Sequence, residues 1–348
     1  MITSALAAIG LAAGALAPMK SAFAADQLTV THGGGSWAKA LRKDAFDPFT
    51  KNSGIKITEA EYDFGNAKIR AMVDTNTVIW DVVVVTEAQA KLLCAEGTIE
   101  MIDWKKLGLD RTNFQGGDHA DCGVPTHFSG NVVAYDKVKL PNGPKTIADF
   151  FDLKTFPGKR GLYKSPAVNL EWALMADGVP PKDVYKVLNT PEGLDRAFKK
   201  LDTIKKDVVW WTAGAQPQQL LADGQVVISQ AWNGRVYDAV KSSGQHFVIM
   251  WDGAMVNGNA LVIPKGTRHL EDAYKFLAFA GLPRVQADLA DDTAYSPANK
   301  DAVALIDPAI RPFSNAPADV GEAIPVDATF WTEKGDEIRQ RFAGWLGQ

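Results

Sequence analysis

Three short segments carry side chains suited to holding a small polar molecule. Gly33-Gly34-Gly35-Ser36-Trp37 combines bare backbone amides with a hydroxyl and an indole. Glycine lets a ligand approach the main chain, and a helix opening there turns its electropositive end toward an anion or a carbonyl. A tight turn with no ligand accounts for the same run. The segment lacks the Lys-Ser/Thr of a P-loop and the spacing of a dinucleotide fingerprint. Trp210, Trp211 and Trp232 flank Thr212 to Gln216, in a chain that holds ten tryptophans. An indole at a cleft mouth gives a flat apolar wall and one donor, which suits an alkyl chain or a cation; core packing is the plainer use. Ala231-Trp232-Asn233-Gly234-Arg235 sets a guanidinium where a strand passes into a helix. That placement suits bidentate capture of a carboxylate or phosphate, or a surface ion pair with Asp238.

Catalytic signatures are missing. The chain has no Gly-x-Ser-x-Gly elbow and no His-Glu-x-x-His, and its five histidines are scattered, so neither a nucleophile nor a metal site is expected. No cofactor is implied. The only cysteines are Cys94 and Cys122. In an oxidising compartment two lone cysteines are expected to pair, which would constrain the unfolded chain by roughly 3–4 kcal/mol.

The elements that would position these groups alternate between β-branched runs and helical spacing, which implies α/β lobes. Leu28 to Thr31 reads as a first strand. Leu41, Ala45 and Phe49 sit four apart on one helical face, and Ile55-Lys56-Ile57 opens a second strand. Val82 to Val85 is a continuous apolar run, as in a strand buried on both faces of a parallel sheet. Val132 to Tyr135 and Ala260 to Pro264 are further strands. The stretch between them has its own strands, Val226 to Ser229 and Phe247 to Met250, and a helical pattern near Leu194 to Leu201. A middle segment able to form a complete lobe suggests one domain inserted in another, with two crossing strands as a hinge. Residues 336–346 read as a closing amphipathic helix.

Residues 1–25 differ from the rest. An apolar run from Ile2 to Ala17 is followed by Ala22-Phe23-Ala24, a small-x-small cleavage signature. The run is shorter than the roughly 20 residues of a membrane span, so export to the periplasm is expected. A net charge of −4 argues against nucleic acid as a partner.

Leu28-Thr29-Val30-Thr31 with Gly35, Asp47-Pro48-Phe49, Trp80-Asp81-Val82-Val83, Ala95-Glu96-Gly97, Cys122-Gly123-Val124-Pro125, Trp232-Asn233-Gly234, Ile263-Pro264-Lys265-Gly266 and Ser296-Pro297-Ala298-Asn299 resemble, in order, the extracellular solute-binding proteins of the spermidine/putrescine-binding type. The resemblance implies a two-lobed periplasmic-binding-protein fold (type II), with two hinge-crossing strands and a ligand cleft between the lobes. It implies a monomer that gives a small molecule to an ABC permease in the inner membrane. The expected divisions are a signal peptide 1–25, lobe 1 at 26–130 and 259–305, lobe 2 at 131–258, and a C-terminal segment 306–348 packed on lobe 2.

Carried over by motif, the ligand wall comprises Gly35, Ser36, Trp37, Thr86, Glu87, Phe128, Ser129, Ser165, Trp232, Arg235, Asn257, Asn259 and Tyr295. Trp211 joins them from the tryptophan cluster. Polyamine binders place acids where this chain has Ser165, Val168 and Asn259, and aromatic residues where it has Gly33, Ser36 and Asn257. A dication stripped of its acids in a cleft costs several kcal/mol, and Arg235 adds a positive charge. Those departures point toward an amino-carboxylate such as 4-aminobutyrate or an opine, its ammonium on Glu87 or Asp252, with a polyamine (putrescine or spermidine) the other ligand class the resemblance leaves open. An enzyme on the same scaffold, of the thiaminase type, remains the alternative and needs a free cysteine.

Overall fold

The computed structural model describes residues 27–62, 64–117, 120–314 and 324–348. The expected leader lies outside the described residues. Ten strands are described: β1 Gln27–His32, β2 Lys56–Glu61, β3 Val83–Thr86, β4 Val124–Asp136, β5 Arg160–Tyr163, β6 Val208–Trp211, β7 Ile228–Trp232, β8 Phe247–Val262, β9 Ser296–Pro297 and β10 Ile324–Pro325.

Two of them organise the molecule. β4 and β8 pair antiparallel over nearly their whole length, from Val124 opposite Leu261 to Asp136 opposite Phe247. At a rise of about 3.3 Å per residue each spans roughly 40–50 Å, far more than one lobe needs. Near Val124 and Leu261 they join a core built from Leu28, Val30, Phe46, Phe49, Val84 and Phe276. Near Val133 and Met250 they join a different core, built from Phe150, Leu162, Trp172, Phe198, Ile228 and Phe342. Two hydrophobic bodies thus share two continuous strands. The ladder shifts register between Pro125 and His127 and again between Asn131 and Val133.

Around the first core, β1 pairs parallel with β2, and Val30 bridges Val82 at the entrance to β3. β3 is fully buried at Val83 to Val85, as its apolar run requires. Its neighbour β8 runs antiparallel to it, so this sheet is mixed where a parallel one was expected. The helix after β1 is Gly35–Leu41 and Asp47–Ser53, joined by a wider five-residue turn. That turn brings Phe46 beside Phe49 in the core, while Leu41 stays partly exposed. Around the second core, β7 pairs antiparallel with β4 and parallel with β5, which pairs parallel with β6.

The C-terminal helix runs over Ala328–Leu346, starting earlier than its apolar pattern suggests because Asp327 accepts the Phe330 N–H at 3.0 Å and caps it. Trp331, Phe342 and Trp345 enter the second core. The same helix lies alongside Glu87–Ala95, which belongs to the first body.

Glu171 is fully buried in the second core. Its Oε1 accepts from Trp331 Nε1 at 2.8 Å and from the Tyr185 hydroxyl at 3.0 Å, and burial raises its carboxyl to about 7. A carboxyl raised in the folded state binds its proton more tightly there than in the unfolded chain. Stability therefore falls as pH rises from the ordinary glutamate range to about 7, then levels off. Glu171→Gln keeps the acceptor and removes the charge. At about pH 8 it should be more stable than wild type by about 2–3 kcal/mol, with the two converging near about pH 4. Urea unfolding at both pH values checks this; equal midpoints at the higher pH would refute it.

Cys94 and Cys122 form a disulfide, with Cα atoms 5.7 Å apart. Among the described residues no cysteine is free. The thiaminase-type alternative therefore has no nucleophile.

Candidate functional site

Between the two cores lies a cavity of about 240 Å³, floored by the crossing strands. Trp37, Thr86, Ser129, Ser165, Trp232, Arg235, Asn257, Asn259 and Tyr295 all line it, drawn from both bodies and from β4 and β8.

Arg235 stands in the first turn of the helix Asn233–Ser243, directly after β7. Asn233, fully buried, accepts the Gly130 N–H at 2.8 Å and donates to Ala294 O at 2.8 Å and Phe313 O at 2.9 Å, which pins this helix start to β4. A Cβ on Gly234 would lie 2.4 Å from Thr293 O and 2.7 Å from the Tyr295 ring, so only glycine permits that approach. Held this way, Arg235 reaches across to the first body. Its Nη1 donates to Ser36 Oγ at 2.8 Å and its Nη2 to Gly34 O at 3.1 Å. Its Nε is buried without a partner. Two of the five guanidinium N–H groups are thus engaged by protein. No ion pair joins Arg235 to Asp238, whose Oδ1 accepts from Ser242 at 3.0 Å.

Gly35 and Ser36 are not among the cavity-lining residues; Ser36 accepts from Arg235, and Gly35 lies close against it. Gly35 takes a φ of +62°, and a Cβ there would lie 2.6 Å from Arg235 Nη1. Trp211 is buried behind the wall, edge-on to Trp232 at 5.6 Å and 4.7 Å from Tyr163. Trp210 is absorbed into the second core against Phe342 and Trp345. Glu87 and Phe128 face a separate cavity of about 270 Å³ beside the disulfide, with Asn259 common to both cavities. Glu87 pairs with Lys91 at 3.5 Å, and Asp252 accepts the Ile147 N–H at 2.7 Å. Neither expected ammonium partner lines the cavity beside Arg235.

Several lining residues escaped the sequence reading: Phe64, His127, Asn131 and Tyr163. Phe64, at a φ of 62°, fills the space a side chain on Gly33 would take, its ring 2.7 Å from that Cβ position. An aromatic ring therefore stands beside Gly33 although it comes from another segment. His127 lies between Trp37 at 4.4 Å and Tyr295 at 5.3 Å, and burial lowers its imidazole to about 3, so the ring is neutral. Burial pushes the Tyr295 hydroxyl upward, with the Arg235 charge drawing it partly back. Val168 adopts a φ of 73° at the cavity wall, a strained value for a β-branched residue. It opens the helix Asn169–Ala176, whose Asn169 Nδ2 ties the turn to Tyr163 O at 2.8 Å and Ser165 O at 2.7 Å. Among the described lining residues Arg235 alone is charged at neutral pH, and no acid is present.

Two bodies sharing paired strands, with a polar and aromatic cavity over the crossing, define a cleft-type receptor for a small solute. The chain belongs to the bacterial extracellular solute-binding proteins, whose family model matches residues 44–318. It is 41% identical over 348 residues to the gamma-aminobutyric acid-binding protein of Pseudomonas aeruginosa, covering all of this chain and 97% of that protein. It is 25% identical over 316 residues to the spermidine/putrescine-binding periplasmic protein of Salmonella typhimurium, covering 86% of each. Among solved structures, the Atu4243–GABA receptor superposes with a TM-score of 0.82 at 35% identity, over 92% of this chain and 98% of that one. These relatives are binding proteins, and this chain is a solute-binding protein and not an enzyme.

Proposed function

We propose that the cavity receives a small amino-carboxylate, 4-aminobutyrate foremost, and that the loaded protein delivers it to an ABC permease in the inner membrane. In this reading the protein works in the periplasm as a monomer, after removal of residues 1–25. The observation that carries the ligand class is Arg235, the one charged side chain on a wall without acids. A carboxylate there gains charge-assisted hydrogen bonds. A dication such as putrescine would set its second ammonium against a fixed positive charge with no acid on the wall to pair it. The ammonium end would lie among the rings of Phe64, Tyr163 and Trp232 and the amide oxygens of the asparagines, where cation–π attraction replaces a carboxylate partner. The ligand named for the relative at 41% identity agrees with this class. A cavity of about 240 Å³ favours 4-aminobutyrate over an opine, being below the roughly 300–1,000 Å³ typical for larger ligands.

A thermal-shift series with 4-aminobutyrate, putrescine and an opine tests the reading. A ligand at a hundred times its dissociation constant adds about 2.7 kcal/mol. 4-Aminobutyrate should raise the melting temperature and putrescine should leave it unchanged. Tight putrescine binding would overturn the proposal.

A further inference from the structure

The loop that receives Arg235 is Gly33-Gly34-Gly35, the most conformationally free kind of backbone. Gly34 and Gly35 both take positive φ, 69° and 62°. The Gly34 carbonyl that accepts from Arg235 also accepts the Ala38 N–H at 3.3 Å from the helix that follows, and the strand that feeds the loop holds the N–H side of the same residue. His32 ends β1 and is only 5% exposed. Its Nδ1 accepts the Gly34 N–H at 3.1 Å, and its Nε2 meets Glu59 Oε2 at 3.0 Å. Glu59 is gripped in turn by Arg42, whose Nε and Nη2 each donate at 2.7 Å. A hydrogen-bonded chain thus runs Arg42, Glu59, His32, Gly34, Arg235.

We infer that His32 is a positioning residue for the ligand-binding arginine, acting only as a neutral imidazole with its proton on Nε2, so that ligand affinity falls when His32 is protonated. This rests on the amino-carboxylate reading for its ligand, though the geometry of the chain of bonds does not. An imidazolium donates at both nitrogens. The Glu59 contact survives protonation, because Nε2 already faces a carboxylate. The Gly34 contact cannot, because two N–H groups would then oppose each other.

The charged groups around His32 are Glu59 and Glu61 from β2, Arg42 from the preceding helix segment, and Arg235 across the loop; a Cβ on Gly34 would lie 2.4 Å from Glu61 Oε1. The hydrogen bond from Arg42 holds Glu59 below the usual carboxylate range, so it stays ionised while an imidazole titrates. His127, also at the cavity, remains neutral down to about 3. Glu171 and Asp44 are both raised to about 7 by burial, so a pH slope can also come from groups away from His32.

The test compares wild type, His32→Asn and His32→Phe by calorimetry with 4-aminobutyrate at a series of pH values from about 8 to about 5. Wild type should weaken about tenfold across it, the worth of one hydrogen bond. Asparagine offers an amide oxygen near the Nδ1 position that no proton can block. His32→Asn should therefore recover most of the affinity that His32→Phe loses at about pH 8, and its profile should be flat. A wild-type slope surviving in His32→Asn belongs to another group and overturns the inference. Nitrogen NMR of the imidazole supplies a readout without ligand: at neutral pH the proton should reside on Nε2, and the Gly34 amide should shift as His32 titrates. A proton on Nδ1 also overturns it. Failure of wild type to bind 4-aminobutyrate, with the NMR result as expected, would remove the ligand reading and leave the positioning role standing.

Discussion

Arg235→Ala should weaken 4-aminobutyrate binding at least about a hundredfold, read by calorimetry at neutral pH. Truncating one member of a buried charge pair costs about 2–5 kcal/mol, and each 1.4 kcal/mol is about tenfold. Two losses combine here. The carboxylate loses its only cation, and the two bodies lose the bonds from Arg235 to Ser36 and Gly34. Arg235→Lys separates them, because it keeps the charge but not the planar fork. It should recover part of the affinity and remain well below wild type. Ser36→Ala removes one bond between the bodies and leaves the charge, so its loss should be small, on the order of a few fold. Wild-type affinity in Arg235→Ala would mean that the carboxylate end lies elsewhere.

The second large effect concerns stability. Arg160→Met should destabilise the protein by about 3–5 kcal/mol, seen as a lower midpoint in urea. Arg160 is fully buried. It has no carboxylate partner; its Nε donates to Phe150 O at 2.7 Å, Nη1 to Gly158 O at 2.7 Å, and Nη2 to Asp152 O at 3.1 Å and Phe156 O at 2.7 Å. Burial lowers the guanidinium to about 10, opposed by Asp207 and Asp152, and it remains charged at neutral pH. Methionine fills similar length but leaves the carbonyls of Phe150, Gly158 and Phe156 without donors, while Asp152 O keeps the Phe156 N–H at 3.1 Å; each lost partner costs about 1–3 kcal/mol before relaxation. A change below about 1 kcal/mol would show that this loop turns its carbonyls to water instead.

The β-branched runs made the α/β alternation readable, and the two cores stand where the apolar periods put them. The crossing strand β8 was harder to see. Its ends, Phe247 to Met250 and Ala260 to Val262, read as separate strands because the middle holds Asp252, Gly253, Asn257, Gly258 and Asn259. Those residues have low strand preference; pairing with β4 keeps them extended. Arg235 was legible because a strand-to-helix junction fixes where its side chain goes. Phe64 was not, since a lone aromatic at positive φ has no periodicity. His127 and Asn131 sit in a strand whose alternation shifts at two bulges, which hides the inward positions. Glu87 and Phe128 lie close to the site in sequence, yet their side chains face the neighbouring cavity, a difference of facing that spacing alone cannot give.

The two irregularities in the β4–β8 ladder bracket the stretch from His127 to Asn131. When one body swings against the other, atoms close to the pivot travel little and atoms far out sweep a wide arc. Ser129, Asn131, Asn257 and Asn259 lie on the pivot, while Trp37, Ser165 and Arg235 ride on the arms. In the proposed reading, a solute would therefore meet the same polar floor whether the two bodies stand apart or together. First contact would then sort solutes by shape and hydrogen bonding, and the guanidinium brought up by closure would sort them by charge.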